Sequence, residues 1–179
     1  MKATGIVRRI DELGRIVIPK EIRRNYRIKE GTPLEIFSGD EGTLILKKYS
    51  PMIGLEDFVI ECVEAINEVI DCLVLCTDSE KILAGSGEGR KEYIDKFLSI
   101  DFEKVLEERK SVLKNSENGE VLVNVARDTT NTYSSEIIVP IISDGFSFGS
   151  IVLLSKNKLS NSELNLVKSM SIFLSKQII

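Results

Sequence analysis

A chain of 179 residues that is 42% hydrophobic and 29% charged has room for one ordinary domain and a small second one, which excludes a wholly disordered polymer. It contains no histidine, so Ser-His-Asp and Cys-His mechanisms are excluded and any catalysis would fall to carboxylates or lysine. The formal net charge of −4 hides an uneven split: residues 1–50 hold 11 Lys+Arg against 7 Asp+Glu, a net of +4, and residues 51–179 hold 13 against 21, a net of −8.

The N-terminus MKATGIVRRIDELG lacks the apolar core of a signal peptide, and no segment approaches the roughly 20 apolar residues of a membrane span. A cytoplasmic protein is expected. From Thr4 to Ile10 and from Arg15 to Ile18 apolar and polar residues alternate, which predicts two half-buried strands with Leu13-Gly14 as the turn. Pro19 suits the first position of a short helix over Lys20–Tyr26, and Glu21 complements its positive end. Strands are predicted at Pro33–Phe37 and Thr43–Lys48, across the glycine- and acid-rich turn 38–42.

Residues 1–50 therefore read β-β-α-β-β. Fifty residues without a disulfide or metal bury too little apolar surface to stand alone. An obligate dimer is expected, with Ile6, Ile10, Ile16, Ile18, Ile22, Leu34, Ile36 and Leu46 filling the shared interior.

Tyr49-Ser50-Pro51 breaks the pattern and marks a boundary, dividing the chain into domains 1–50 and 51–179. Helical apolar spacing follows over Leu55–Ile70. Strands are predicted at Cys72–Cys76 and Lys81–Ala84 around a turn at 77–80, and Gly85–Gly89 reads as a loop. Helices are expected at Glu92–Leu98 and Phe102–Glu108. Strands are expected at Val121–Ala126, Glu136–Ile142 and Phe148–Leu154, the last two joined by an Asp144-Gly145 hairpin turn, with a closing helix over Ser162–Ile178. This order describes an antiparallel sheet with packed helices, so the whole is an α+β chain of two domains. If Leu55–Ile70 and Ser162–Ile178 pack against another subunit, they join two N-terminal dimers into a homotetramer.

Cys62, Cys72 and Cys76 are an odd number without metal-type spacing, and no metal or cofactor is expected. Cys72 and Cys76 share a strand face, as small buried residues or, if exposed with a low pKa, as redox sensors. Gly85–Gly89, Arg90 and the polar run 127–132 line a small-molecule pocket or are plain loops. Catalytic residues are not identifiable.

Lys2, Arg8, Arg9, Arg15, Lys20, Arg23 and Arg24 gather seven cations within two dozen residues. Doubled in a dimer, they would neutralise several phosphates of double-stranded DNA, and arginine's planar fork also fits the O6/N7 edge of guanine. The alternative is a solvated face in which the arginines pair with Asp11, Glu12, Glu21 and Glu30.

The stretch TGIVRRIDELGRIVIPKEIRRNYRIKEGTPLEIF, with LILKKY after it, resembles the DNA-binding domain of the AbrB family of transition-state regulators over nearly all of residues 2–49. The run DELGRIVIP followed by EIRR carries the likeness. It implies a swapped-hairpin β-barrel completed by two chains. DNA contacts would fall to Arg8, Arg15, Arg23 and Arg24, helped by Arg9 and Lys2. Gly14 either lets the 13–15 loop turn against DNA or is an ordinary hairpin glycine.

The remainder is similar in length and element order to a GAF domain, VPIISDGFSFGSIVLLSK matching the last hairpin of such a sheet. The whole resembles the longer sporulation regulators of the AbrB family. That implies an activator and repressor of late sporulation genes in the forespore, whose C-terminal half assembles subunits and binds a small molecule or only assembles them. Two other readings stay open: an antitoxin that represses its own operon, and a ligand-binding signalling module whose basic half merely dimerises.

Overall fold

The computed structural model describes residues 5–52, 54–130 and 132–178, and the chain divides into two compact units, Met1–Tyr49 and Ser50–Ile179.

In the first unit, helix α1 spans Lys20–Asn25, with Glu21 in its first turn and Arg23 and Arg24 in its last, each sign placed where the helix dipole favours it. Pro19 is the N-cap and not, as the sequence suggested, the first helical residue. Strands β1 (Leu34–Ser38) and β2 (Leu44–Lys48) pair antiparallel with Ile36 opposite Leu46. The link between them tightens into a single turn of 3-10 helix at Asp40–Gly42.

The two strands expected at the N-terminus are corrected: residues 5–18 form no strand ladder, although the turn between them closes through Gly14 N–H to Asp11 O (2.9 Å) and Asp11 N–H to Arg15 O (3.1 Å). Thr4 lies outside the described residues. A lone hairpin is marginal in water, and no described residue of these segments is buried within one chain. Of the expected interior, Ile10, Ile16, Ile36 and Leu46 are exposed (48–65%), and Ile6, Ile18, Ile22 and Leu34 are half-buried. No described residue of this unit is buried.

The second unit holds a five-stranded antiparallel sheet in the order β4-β3-β7-β6-β5. Its elements are α2 (Glu56–Val69), β3 (Leu73–Asp78), β4 (Ile82–Ser86), α3 (Ile100–Glu108), β5 (Val112–Asn115), β6 (Ser135–Ser143), β7 (Phe146–Ser155) and α4 (Asn161–Ser175). Helix α2 forms because Val59, Cys62, Val63 and Ile66 recur on one face, and Glu56 and Asp57 sit in its first turn. Helix α4 starts at a full capping box: the Ser160 side chain and the Glu163 carboxylate each satisfy an end amide. Asp144 and Gly145, both at positive φ, turn β6 into β7.

Alternation along the strands builds two cores. Val74, Cys76, Ile137, Val139, Ile151 and Leu153 face α2 and α4, whereas Leu75, Ile138, Val152 and Leu154 face Phe102 and Leu106 of α3. Gly149 is required where β7 crosses β3, since a β-carbon there would fall on the Thr77 carbonyl.

Two further expectations are corrected. Glu92–Leu98 is not a helix: a 3-10 turn covers Arg90–Glu92, and the chain then pairs with the outer edge of β4, Ile82 N–H to Lys96 O and Asp95 N–H to Ile82 O (both 3.0 Å). Residues 121–125 are not a strand. The edge strand is β5, and its neighbour 119–126 is tied to it and to β6 by side chains.

Candidate nucleic-acid interface

The basic residues of the first unit lie on short, open elements. Arg8 and Arg9 are exposed in the irregular segment before the turn, with Arg8 Nη1 donating to its neighbour Val7 O (2.9 Å). Arg23 and Arg24 are exposed in the last turn of α1, and Lys20 at its start. Lys2 lies outside the described residues.

Arg15 stands at the end of the turn and is held there. Asp11 Oδ1 accepts the backbone N–H of Leu13 (3.0 Å) and of Arg15 (2.8 Å), and Asp11 Oδ2 accepts Arg15 Nε–H (2.7 Å). These bonds keep the Asp11 carboxyl below the usual carboxylate range, the backbone N–H of Arg15 contributing most and its guanidinium next. Gly14 adopts φ +74° with open space around its α-carbon, so it serves the turn by its left-handed conformation rather than by close packing. Of the pairings that the sequence allowed as an alternative to DNA contact, the one between Arg15 and Asp11 is therefore formed.

The loops considered as pocket lining in the second unit are bound into its framework. Gly87 lies against the Cys72 carbonyl, which also accepts Asn67 Nδ2–H (2.7 Å), and a β-carbon on Gly89 would reach the Tyr133 hydroxyl. Arg127 donates Nε–H to Leu98 O (3.0 Å), stands 3.6 Å from the Glu103 carboxylate and stacks over Phe97. Thr129 and Asn124 exchange hydrogen bonds across the same turn. Asn131 lies outside the described residues.

All three cysteines are free and buried. Desolvation pushes the Cys62 thiol up to about 11, and with Asp71 and Glu163 nearby pushes Cys72 up to about 12; Cys76, wholly buried, is raised further. Such thiols are the opposite of the low-pKa thiolate that redox sensing needs.

One group escaped the sequence reading. Glu136 of β6 is fully buried, its two carboxylate oxygens accept the Val123 N–H (3.0 and 2.9 Å), and Lys114 Nζ stands 3.7 Å away while donating to Val121 O (3.0 Å). Desolvation pushes its carboxyl up to about 7 against these contacts. A lone acid at the head of the apolar run of β6 was the available signal.

A family model described as the stage V sporulation protein T C-terminal transcription factor domain matches residues 54–179, and one described as the antidote-toxin recognition domain MazE, a bacterial antitoxin, matches residues 7–54. The stage V sporulation protein T of Bacillus subtilis is 42% identical over 99% of both chains. The transition state regulatory protein AbrB of the same organism is 61% identical over 51 residues, 28% of this chain and 52% of its own length. Among solved structures, a GAF domain from an Acinetobacter phosphoenolpyruvate-protein phosphotransferase (TM-score 0.58, 16% identity) covers 69% of this chain and 81% of its own. A free methionine-R-sulfoxide reductase from Thermoplasma acidophilum (TM-score 0.55, 16% identity) covers 69% and 94%; at such identities the likeness is one of fold alone, and the fold is GAF-like. With a head like that of AbrB, a GAF-like second unit and near-complete alignment to one curated relative, the chain belongs to the family of stage V sporulation protein T.

Proposed function

We propose that the protein is a DNA-binding transcription regulator, activator and repressor, of late sporulation genes in the forespore. The observation that carries this reading is a basic head with exposed arginines and no buried residue among those described, on a chain of a transcription-factor family. Such a head lacks an interior until a second copy supplies one, so the DNA-binding form is a dimer that doubles Arg8, Arg15, Arg23 and Arg24, with Arg9 and Lys2 at the margins. Phe58 and Ile60 on α2 and Ile172 and Phe173 on α4 leave apolar surface open at 43–57% exposure, which suits helix-to-helix assembly of dimers into a tetramer.

The GAF-like unit serves assembly, and a small-molecule ligand is a second role for it. Among the described residues no helix is long and apolar enough to cross a membrane, in keeping with action on DNA in the cytoplasm. The antitoxin reading is weaker because residues 54–179 form a two-core domain and not a flexible toxin-wrapping tail.

The test is binding to sporulation-promoter duplexes across a salt series. If the four arginines of each subunit all contact phosphate, a dimer shows a slope of log K against log salt of about −7, and Arg23→Ala/Arg24→Ala flattens it by about 3 to 4. A salt-insensitive interaction, unchanged by the substitutions, would leave the ligand-binding module as the better account.

A further inference from the structure

The turn 11–15 does more than reverse the chain. Asp11 divides its carboxylate between two tasks: Oδ1 gathers the Leu13 and Arg15 amides, and Oδ2 takes Nε–H of the Arg15 side chain at 2.7 Å. A guanidinium has five N–H donors in a planar fork, and this contact uses the single one at Nε. The four at Nη1 and Nη2 form the end-on edge that grips the guanine O6/N7 pair or a phosphate in bidentate fashion.

The contact is also made in the open, the side chains of Arg15 and Asp11 being 69% and 38% exposed. A surface ion pair of this kind adds little to stability. What it does is restrict the rotamers of a long side chain, which lowers the ordering cost of a later contact. The carboxylate has a second consequence, since it repels any phosphate that approaches without making a well-placed contact to the arginine.

We propose that Asp11 is a positioning residue for DNA recognition, holding Arg15 by Nε so that its Nη1/Nη2 edge is presented to DNA and disfavouring unspecific phosphate contact. The inference rests on the reading of Arg15 as a DNA contact. Asp11 therefore governs selectivity more than affinity. Asn at this position keeps an oxygen for the two backbone amides but loses the charge that anchors the guanidinium.

The experiment uses the full chain. Duplexes are selected by the wild-type protein from a randomised pool, and affinities for them and for random-sequence DNA are measured for wild type, Asp11→Asn, Arg15→Ala and the double variant. Asp11→Asn is expected to bind random DNA as tightly as wild type or tighter. It should lose about tenfold in the ratio of selected to random affinity, the discrimination that goes with one bidentate base contact. In the Arg15→Ala background the same substitution should cost nothing further, because Asp11 acts through that side chain.

An unchanged ratio in Asp11→Asn, with Arg15→Ala still losing it, overturns the positioning role alone. A loss of equal size in both backgrounds, at matched melting temperatures or not, marks Asp11 as merely structural and overturns it too. If Arg15→Ala itself leaves the ratio intact, the DNA contact of Arg15 fails, and the role of Asp11 with it.

Discussion

Replacing Glu136 by Gln should make the second unit more stable at neutral and alkaline pH. The carboxyl is buried without exposure and its pKa stands at about 7 against an ordinary 4.5, desolvation outweighing the Val123 amide and the Lys114 ammonium. Below pH 4.5 the folded and unfolded chains both carry the proton, and the group adds no pH-dependent term. Between 4.5 and 7 the folded chain keeps a proton that the unfolded chain has lost, so stability falls as pH rises, and above 7 the whole cost is present. A shift of this size corresponds to about 3 kcal/mol at pH 8, at 1.36 kcal/mol per unit.

Gln is neutral at every pH and can still accept the Val123 N–H. Urea unfolding at a fixed protein concentration, from pH 5 to 8.5, should therefore show Glu136→Gln within about 1 kcal/mol of wild type at pH 5 and ahead by about 2 to 3 kcal/mol at pH 8. Tyrosine fluorescence and circular dichroism serve as probes, as the chain has no tryptophan. The comparison with wild type removes the other perturbed acids. Asp78, raised by burial, acts in the same direction, and Asp11 and Glu163, lowered by hydrogen bonds, act oppositely as pH falls through the acid range. Parallel pH profiles, or a variant less stable at pH 8, would refute the assignment of a buried charge whose desolvation outweighs its partners.

Ser160→Ala breaks the capping box of α4 and should lower the stability of the second unit by about 1 kcal/mol in the same urea assay. Phe102→Ala empties the largest fully buried side chain of the core beneath α3, the helix that carries it, and should cost about 3 to 5 kcal/mol, read from the same transition. With a maleimide at pH 8, folded protein should label at Cys62, Cys72 and Cys76 only on the time scale of unfolding, whereas urea should release all three at once; fast labelling of any in the folded state contradicts its burial.

In the second unit, where a segment's partners are its own helical or hairpin neighbours, the sequence was readable. Val59, Cys62, Val63 and Ile66 announce α2 at helical spacing, and Asp144-Gly145 between two apolar runs announces β6 and β7. Reading failed where partners are remote or are side chains. Val121, Val123 and Val125 alternate like a strand, yet the Val123 amide goes to the Glu136 carboxylate and Lys114 takes the Val121 carbonyl. Strand β5 is only four residues long with Lys114 and Asn115 in it, and Asn115 spends its side chain on Ser135 and Leu159. Of the candidate interface, the cluster of arginines was visible in the sequence alone. The Asp11 clamp was not, because a carboxylate four residues from an arginine in a turn looks the same whether it quenches the charge or aims it.

The two units solve the burial problem in opposite ways, and the contrast bears on regulation. Residues 54–179 sandwich one sheet between two apolar layers and need no second copy to form them. The first unit leaves Val7, Ile10, Leu13, Ile16 and Val17 at 53–83% exposure, so in the proposed dimer its folding and its association are one equilibrium. In the proposed assembly, heads tethered to second units that associate meet at an effective concentration set by the tether rather than by the amount of protein in the cell. On this proposal, whatever strengthens or loosens contact between GAF-like units changes the fraction of paired heads, and with it the number of arginines presented to DNA together. Regulation then needs no path of shifted side chains from one unit to the other, only a change in how often two heads are held near each other.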